Sequence, residues 1–175
     1  ELDNVNISGV TTFPDTGKVL IGTATEGHTG ADDLTIATTG TTGITIRSGA
    51  TSNGNIYFSD ATSGDGEYRG YVSYNHSDDS LKLGTGAANR IIISSAGYVK
   101  IGTNVEGYAG APNLTIADTG NCGVTIRSGA SNQGTIAFSD AESGAGEYDG
   151  FLQYSQADRE LKVGTASAVR FTVSS

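Results

Sequence analysis

The chain has 175 residues, 19 acidic against 10 basic, for a formal charge of −9. That balance argues against a nucleic-acid backbone or an anionic membrane surface as partner, because both call for a Lys/Arg surplus. Gly (26) and Pro (2) together stay below the level of a disordered chain, and the lone Cys122, with no second Cys or nearby His, excludes an internal disulfide and a zinc site.

In chain order, residues 1–16 (ELDNVNISGVTTFPDT) contain VNISGVTTF, which alternates like a strand and closes whatever lies upstream. They lack the basic start and apolar core of a signal peptide, and no later run approaches the ~18 apolar residues of a membrane span. VLIGT (19–23) and IIIS (91–94) are short β-branched runs. ITIRS (44–48), NIYFS (55–59), YRGYVSY (68–74) and LKLGT (81–85) alternate apolar with polar, the mark of half-buried strands. Between them lie Gly-, Ser-, Asn- and Asp-rich turns such as TTGTTG (38–43), SDATSGDGE (59–67) and NHSDDS (75–80). No window shows a helical period. The class is all-β, with six to eight strands per unit. The inward set is Leu34, Ile36, Ile44, Ile46, Ile56, Phe58, Val72, Tyr74, Leu81, Leu83, Ile91, Ile93, Val99 and Ile101, with counterparts 80 residues on.

The chain matches itself at an offset of 80 without a gap. Residues 17–95 and 97–175 share 44 identities in 79 positions, among them TIRSGA (45–50 and 125–130) and FSDA (58–61 and 138–141). A match of that length is a structural repeat. It divides the chain into an N-terminal connection (1–16), a first β-repeat (17–96) and a second (97–175). Glu1 in place of an initiator Met is expected of a fragment or processed chain. A new unit start after Ser95 leads us to expect further units or another module past 175. A unit of about 80 residues without Trp, disulfide or metal buries little on its own. Burial against identical chains and neighbouring units is the remedy, so an elongated oligomeric β-rod is expected.

The phrases VxIGT, LTIAxTG, GITIRSG, IYFSDATSGDGEYRGYVSYNHSDDSLKLGT and ANRIIISSAGYVKIGT resemble repeats in tail-fibre and other virion appendage proteins of tailed bacteriophages, notably marine ones. Similar units in such proteins often precede a self-cleaving intramolecular chaperone of the endosialidase type, and no such segment is visible here. The resemblance covers 5–175. It implies a homotrimeric fibre shaft on a virion, extracellular, joined to other virion proteins up- and downstream and serving host attachment.

Asp60, Asp65 and Glu67 set oxygen ligands at short spacing in a Gly-rich loop, which makes them the cation candidates. No EF-hand pattern is met, and position 145 is Ala where Asp65 stands in the first unit, so a solvated turn is the simpler reading. Arg47, Arg127, Glu67, Glu147, Asp60 and Asp140 recur in both units and are expected to pair within or between chains; Arg90 and Arg170 have the same expected partners. Tyr68, Tyr71 and Tyr148 are candidates for receptor contact, against packing between subunits. Two carboxylates could serve a tailspike-type glycosidase, yet Trp is absent and Tyr57 becomes Ala137. No phosphate loop or catalytic triad motif is present, and no cofactor is expected.

A structural shaft that positions a host-recognition tip, without enzymatic activity, follows as the expected function. A host-glycan binding module, a capsid surface fibre and a glycan-degrading tailspike are its alternatives.

Overall fold

The computed structural model describes residues 17–174; the strand expected within 1–16 lies outside them. The fold is all-β, and the helical pieces among the described residues are two short 3-10 turns, Gly64–Tyr68 and Gly144–Tyr148. The chain divides into two compact units between Val99 and Lys100. The first half carries β1 (Val19–Ile21), β2 (Leu34–Ile36), β3 (Asn53–Phe58), β4 (Gly70–Asn75), β5 (Ser80–Thr85) and β6 (Ala88–Ile93). Then come β7 (Val99–Ile101), β8 (Leu114–Ile116), β9 (Gln133–Phe138), β10 (Gly150–Ser155), β11 (Glu160–Thr165) and β12 (Ala168–Val173), each 80 residues after its counterpart.

β1 and β2 pair in parallel, Val19 opposite Leu34 and Ile21 opposite Ile36. β3 to β6 form an antiparallel meander, as do β9 to β12. The turn chemistry fixes the register. Between β4 and β5 the Asn75 side-chain oxygen accepts the Ser77 N–H at 2.8 Å, and the Asp78 carboxylate accepts both the N–H and the hydroxyl of Ser80, at 3.1 and 2.6 Å. Between β5 and β6 two residues suffice, Gly86 and Ala87, both left-handed at φ 59° and 58°. That is the twist a two-residue hairpin needs. A shift of register then follows Leu83, and the Arg90 guanidinium donates to the Thr85 carbonyl and hydroxyl at 3.2 and 3.1 Å. Arg170 does the same to Thr165. The recurring arginines of β6 and β12 thus close hairpins, where pairing with Glu67, Glu147, Asp60 or Asp140 was expected.

Opposed residues in an antiparallel pair share a face, so the register sorts every side chain. Ile56, Phe58, Val72, Tyr74, Leu81, Leu83, Ile91 and Ile93 lie on one face of the first meander. Asn53, Asn55, Tyr57, Tyr71, Ser73, Lys82 and Ile92 lie on the other, with Asn89 opposite Gly84. The apolar parity was legible in the sequence, but the inward direction was not. Phe58 remains 62 % exposed, and Ile56, Tyr74 and Leu83 are exposed too. Among the described residues the buried hydrophobic side chains are Ile92 and Phe151, both on the opposite face. Each meander is one layer, and among the described residues no full second layer covers it.

The segment 44–48 also departs from expectation: among the described residues it forms no ladder. Alternation makes a backbone extended but does not supply a neighbour to bond. Ile46 lies over Gly54, its Cγ2 3.4 Å from where a Cβ would stand, while Ile44 stays 68 % exposed. Ile126 and Val124 repeat this arrangement over Gly134.

The second unit holds Ala166 and Ser167 at φ 52° and 54° where the first has Gly86 and Ala87. A left-handed non-glycine residue costs about 1–2 kcal/mol, partly offset by the chain entropy that glycine loses. Ala166→Gly is therefore expected to stabilise the second unit by about 0.5–1 kcal/mol, read as a higher urea midpoint at unchanged slope.

Candidate functional site

The polar face of the first meander carries a hollow of ≈ 230 Å³ lined by Asn53, Asn55, Tyr57, Tyr68, Tyr71, Ser73, Lys82, Ala87 and Asn89. Its geometry follows from strand parity. Asn53, Asn55 and Tyr57 are alternate residues of β3, and Tyr71 and Ser73 are alternate residues of β4. Gly84 makes room in β5: a Cβ there would overlap the Tyr71 ring, which lies flat across the strand. The Tyr71 hydroxyl donates to the Asn89 side-chain oxygen at 2.7 Å. Burial foremost raises the Tyr71 phenol above its ordinary value, which keeps it a neutral donor.

Three tyrosines converge. The Tyr57 ring is 6.2 Å from Tyr68, tilted, and 6.5 Å from Tyr71, edge to face. Tyr68 comes from the 3-10 turn after β3, where its hydroxyl donates to Asp65 at 3.0 Å. That hydrogen bond is the first cause of its raised pKa. Lys82 reaches the same face and lies 3.7 Å from Asp78. The Asn55 side-chain oxygen is buried without a hydrogen-bond partner among the described residues.

Of the tyrosines singled out in the sequence, Tyr68 and Tyr71 therefore meet, through Tyr57. Tyr148 occupies the Tyr68 position of the second unit, but Ala137 and Phe151 stand where Tyr57 and Tyr71 would be. Asn53, Asn55, Tyr57, Lys82 and Asn89 carried no motif. Their signal was positional, the alternate residues of β3 and their partners across the ladder.

The acidic loop holding Asp60, Asp65 and Glu67 is a turn closed by its own backbone. No group of three His, Cys, Asp or Glu side chains converges among the described residues. The Asp60 N–H and the Ser59 hydroxyl both donate to the Gly66 carbonyl, at 3.0 and 3.1 Å, and Ser139, Asp140 and Gly146 repeat the pattern. Asp65 is engaged with Tyr68, and Asp60 approaches Arg69 only at 4.0 Å. Arg47, Arg127, Glu67, Glu147 and Asp140 form no salt bridge within the chain among the described residues.

The tightest charged cluster was not anticipated. Lys18 donates to Asp32 at 2.6 Å and to Glu26 at 2.8 Å, tying the entry of β1 to the loop before β2. The second unit has Tyr98 and Pro112 at the Lys18 and Asp32 positions. The hydrogen bond from Lys18 holds the Asp32 carboxyl below its ordinary value, and the same contacts raise Lys18. A carboxyl depressed in the folded state stabilises above its unfolded pKa, about 3.9, and loses that effect as pH falls through the lower folded value. Asp32→Asn is thus expected to lower the melting temperature at pH 5–8, with the gap to wild type closing below about pH 4. Thermal melts followed across pH check this.

No protein-family profile matches the chain, and no curated protein matches it.

Proposed function

We propose that the chain is a structural shaft or spacer of a virion fibre, a bacteriophage tail fibre or related appendage, acting as a homotrimer that positions a host-recognition tip and catalyses no reaction. One observation supports the reading: each meander presents an apolar face left largely exposed among the described residues. The two units agree on that face. Ile56, Phe58, Tyr74 and Leu81 recur as Ile136, Phe138, Tyr154 and Leu161, and Val72, Leu83, Ile91 and Ile93 are replaced by Leu152, Val163, Phe171 and Val173. Exposed apolar area of this extent marks an interaction surface.

Removing the remaining exposure of eight such side chains, at roughly 1 kcal/mol each, contributes on the order of 8 kcal/mol per unit per chain. Three copies of one sheet around a threefold axis bury their apolar faces against one another, and closed symmetry ends the assembly there. The extended segments 41–48 and 121–128, in no strand ladder among the described residues, would find backbone partners in neighbouring copies. Arg47 and Arg127 would find carboxylates there, with Glu67, Glu147, Asp60 and Asp140 as the candidates. Such an assembly unfolds slowly, as a fibre outside a cell requires. Among the described residues no helix is long and apolar enough to cross a membrane. The resemblance to phage fibre repeats supplies the biological setting.

Light scattering is expected to give about 53 kDa for a chain of 17.8 kDa. The double variant Ile56→Asp, Ile136→Asp is expected to fall to single-chain mass, since an unpaired charge cannot enter a dry interface. A wild-type chain that stays monomeric at all concentrations overturns the reading.

A further inference from the structure

We propose that the hollow on the polar face of the first unit binds a neutral saccharide ring. The two units form a comparison within one molecule. Their backbones share elements and register, so a residue that the fold itself requires should recur at an offset of 80. The apolar face passes that test in character: four residues recur and four are exchanged for other apolar residues. The hollow does not: Asn55, Tyr57, Tyr71, Ser73 and Asn89 become Thr135, Ala137, Phe151, Gln153 and Val169. The fold therefore manages without Tyr57 and Asn89, and packing alone does not account for them.

The chemistry of the hollow fits a sugar. Tyr57 is 53 % exposed and offers a ring face to the C–H face of a pyranose, the contact that aromatic side chains make best. Asn53, Asn55 and Asn89 bring amides, each pairing a donor with an acceptor, which suits neighbouring hydroxyls. The unpartnered Asn55 oxygen lies at the wall of this hollow, and Lys82 adds donors beside it. The second unit holds its equivalent, Lys162, between two carboxylates, Glu160 at 3.1 Å and Asp158 at 3.9 Å. Among the described residues Lys82 has one carboxylate partner, Asp78 at 3.7 Å. One cation balanced by one carboxylate, on a chain of charge −9, selects against an anionic glycan. The volume, ≈ 230 Å³, is below the roughly 300–1,000 Å³ of drug-sized sites and suits a single ring.

The test is saturation-transfer NMR on the 1–175 chain with four probes, the methyl glycosides of glucose, galactose, mannose and N-acetylglucosamine, and with sialyllactose as the anionic arm. At least one neutral probe is expected to bind, with Kd of about 1–10 mM. Tyr57→Ala and Asn89→Val are each expected to weaken it about tenfold or more. Both install residues that the second unit already carries at those positions, and circular dichroism verifies the fold. Tyr148→Ala, in the second unit, should leave binding unchanged. No transfer to any neutral probe, transfer to sialyllactose alone, or transfer that survives both first-unit variants overturns the proposal. Oligomeric mass is read separately, so a sugar-binding monomer would refute only the shaft, and a trimer without transfer only the sugar site.

Discussion

Each meander is one layer thick, and the rest of the structure depends on that constraint. A sheet is stable when an apolar face is buried against another layer. Here the strands of each meander pair in register, yet among the described residues no layer covers Ile56, Phe58, Val72 and Leu83. Local order comes from hydrogen bonds and turns: the Asn75 and Asp78 caps, the left-handed pair at Gly86 and Ala87, the arginine closure of β6. Those devices specify a register.

Register matters more than usual in such a sheet. A slip of one residue would exchange the two faces and bring Asn53, Asn55 and Lys82 to the side where Ile56 and Phe58 belong. The register shift beside Gly84 lets Asn89 stand opposite that glycine while Ile91 and Ile93 keep the apolar parity. One irregularity thus serves both faces. It aims an amide at the Tyr71 hydroxyl and leaves the apolar face unbroken.

Much of the fold was legible in the sequence, because period-two alternation and turn residues are local signals. β3, β5 and the tyrosine strand β4 lie where the alternation places them. ITIRS carries the same signal and forms no ladder among the described residues, since whether an extended segment pairs depends on a neighbour that no local pattern encodes. The 3-10 turn at GDGEY was hidden by its glycines, which read as loop. The hollow was hidden by a different assumption. Tyr57 giving way to Ala137 counts against sugar chemistry only if both copies must carry the site. Once the register assigns Tyr57 and Phe58 to opposite faces, the change in one and the identity of the other become separate facts.

That separation gives a repeated single-layer sheet its versatility. Substitutions at alternate positions reach one face without touching the other, so the apolar side can stay constant from unit to unit while the polar side drifts. Phe151 covers Gly164 as Tyr71 covers Gly84, so even a diverged face keeps the aromatic that shields its glycine and changes only what the ring carries. The loss of one hydroxyl, Tyr71 against Phe151, removes the hydrogen bond that orients Asn89, and the second unit has Val169 there. The polar pair, donor and acceptor, is present in the first unit and replaced as a pair in the second. Were the sugar site present in a trimer, three weak sites would be held at fixed spacing, and a multivalent surface would bind far more tightly than one ring does, without any further contact.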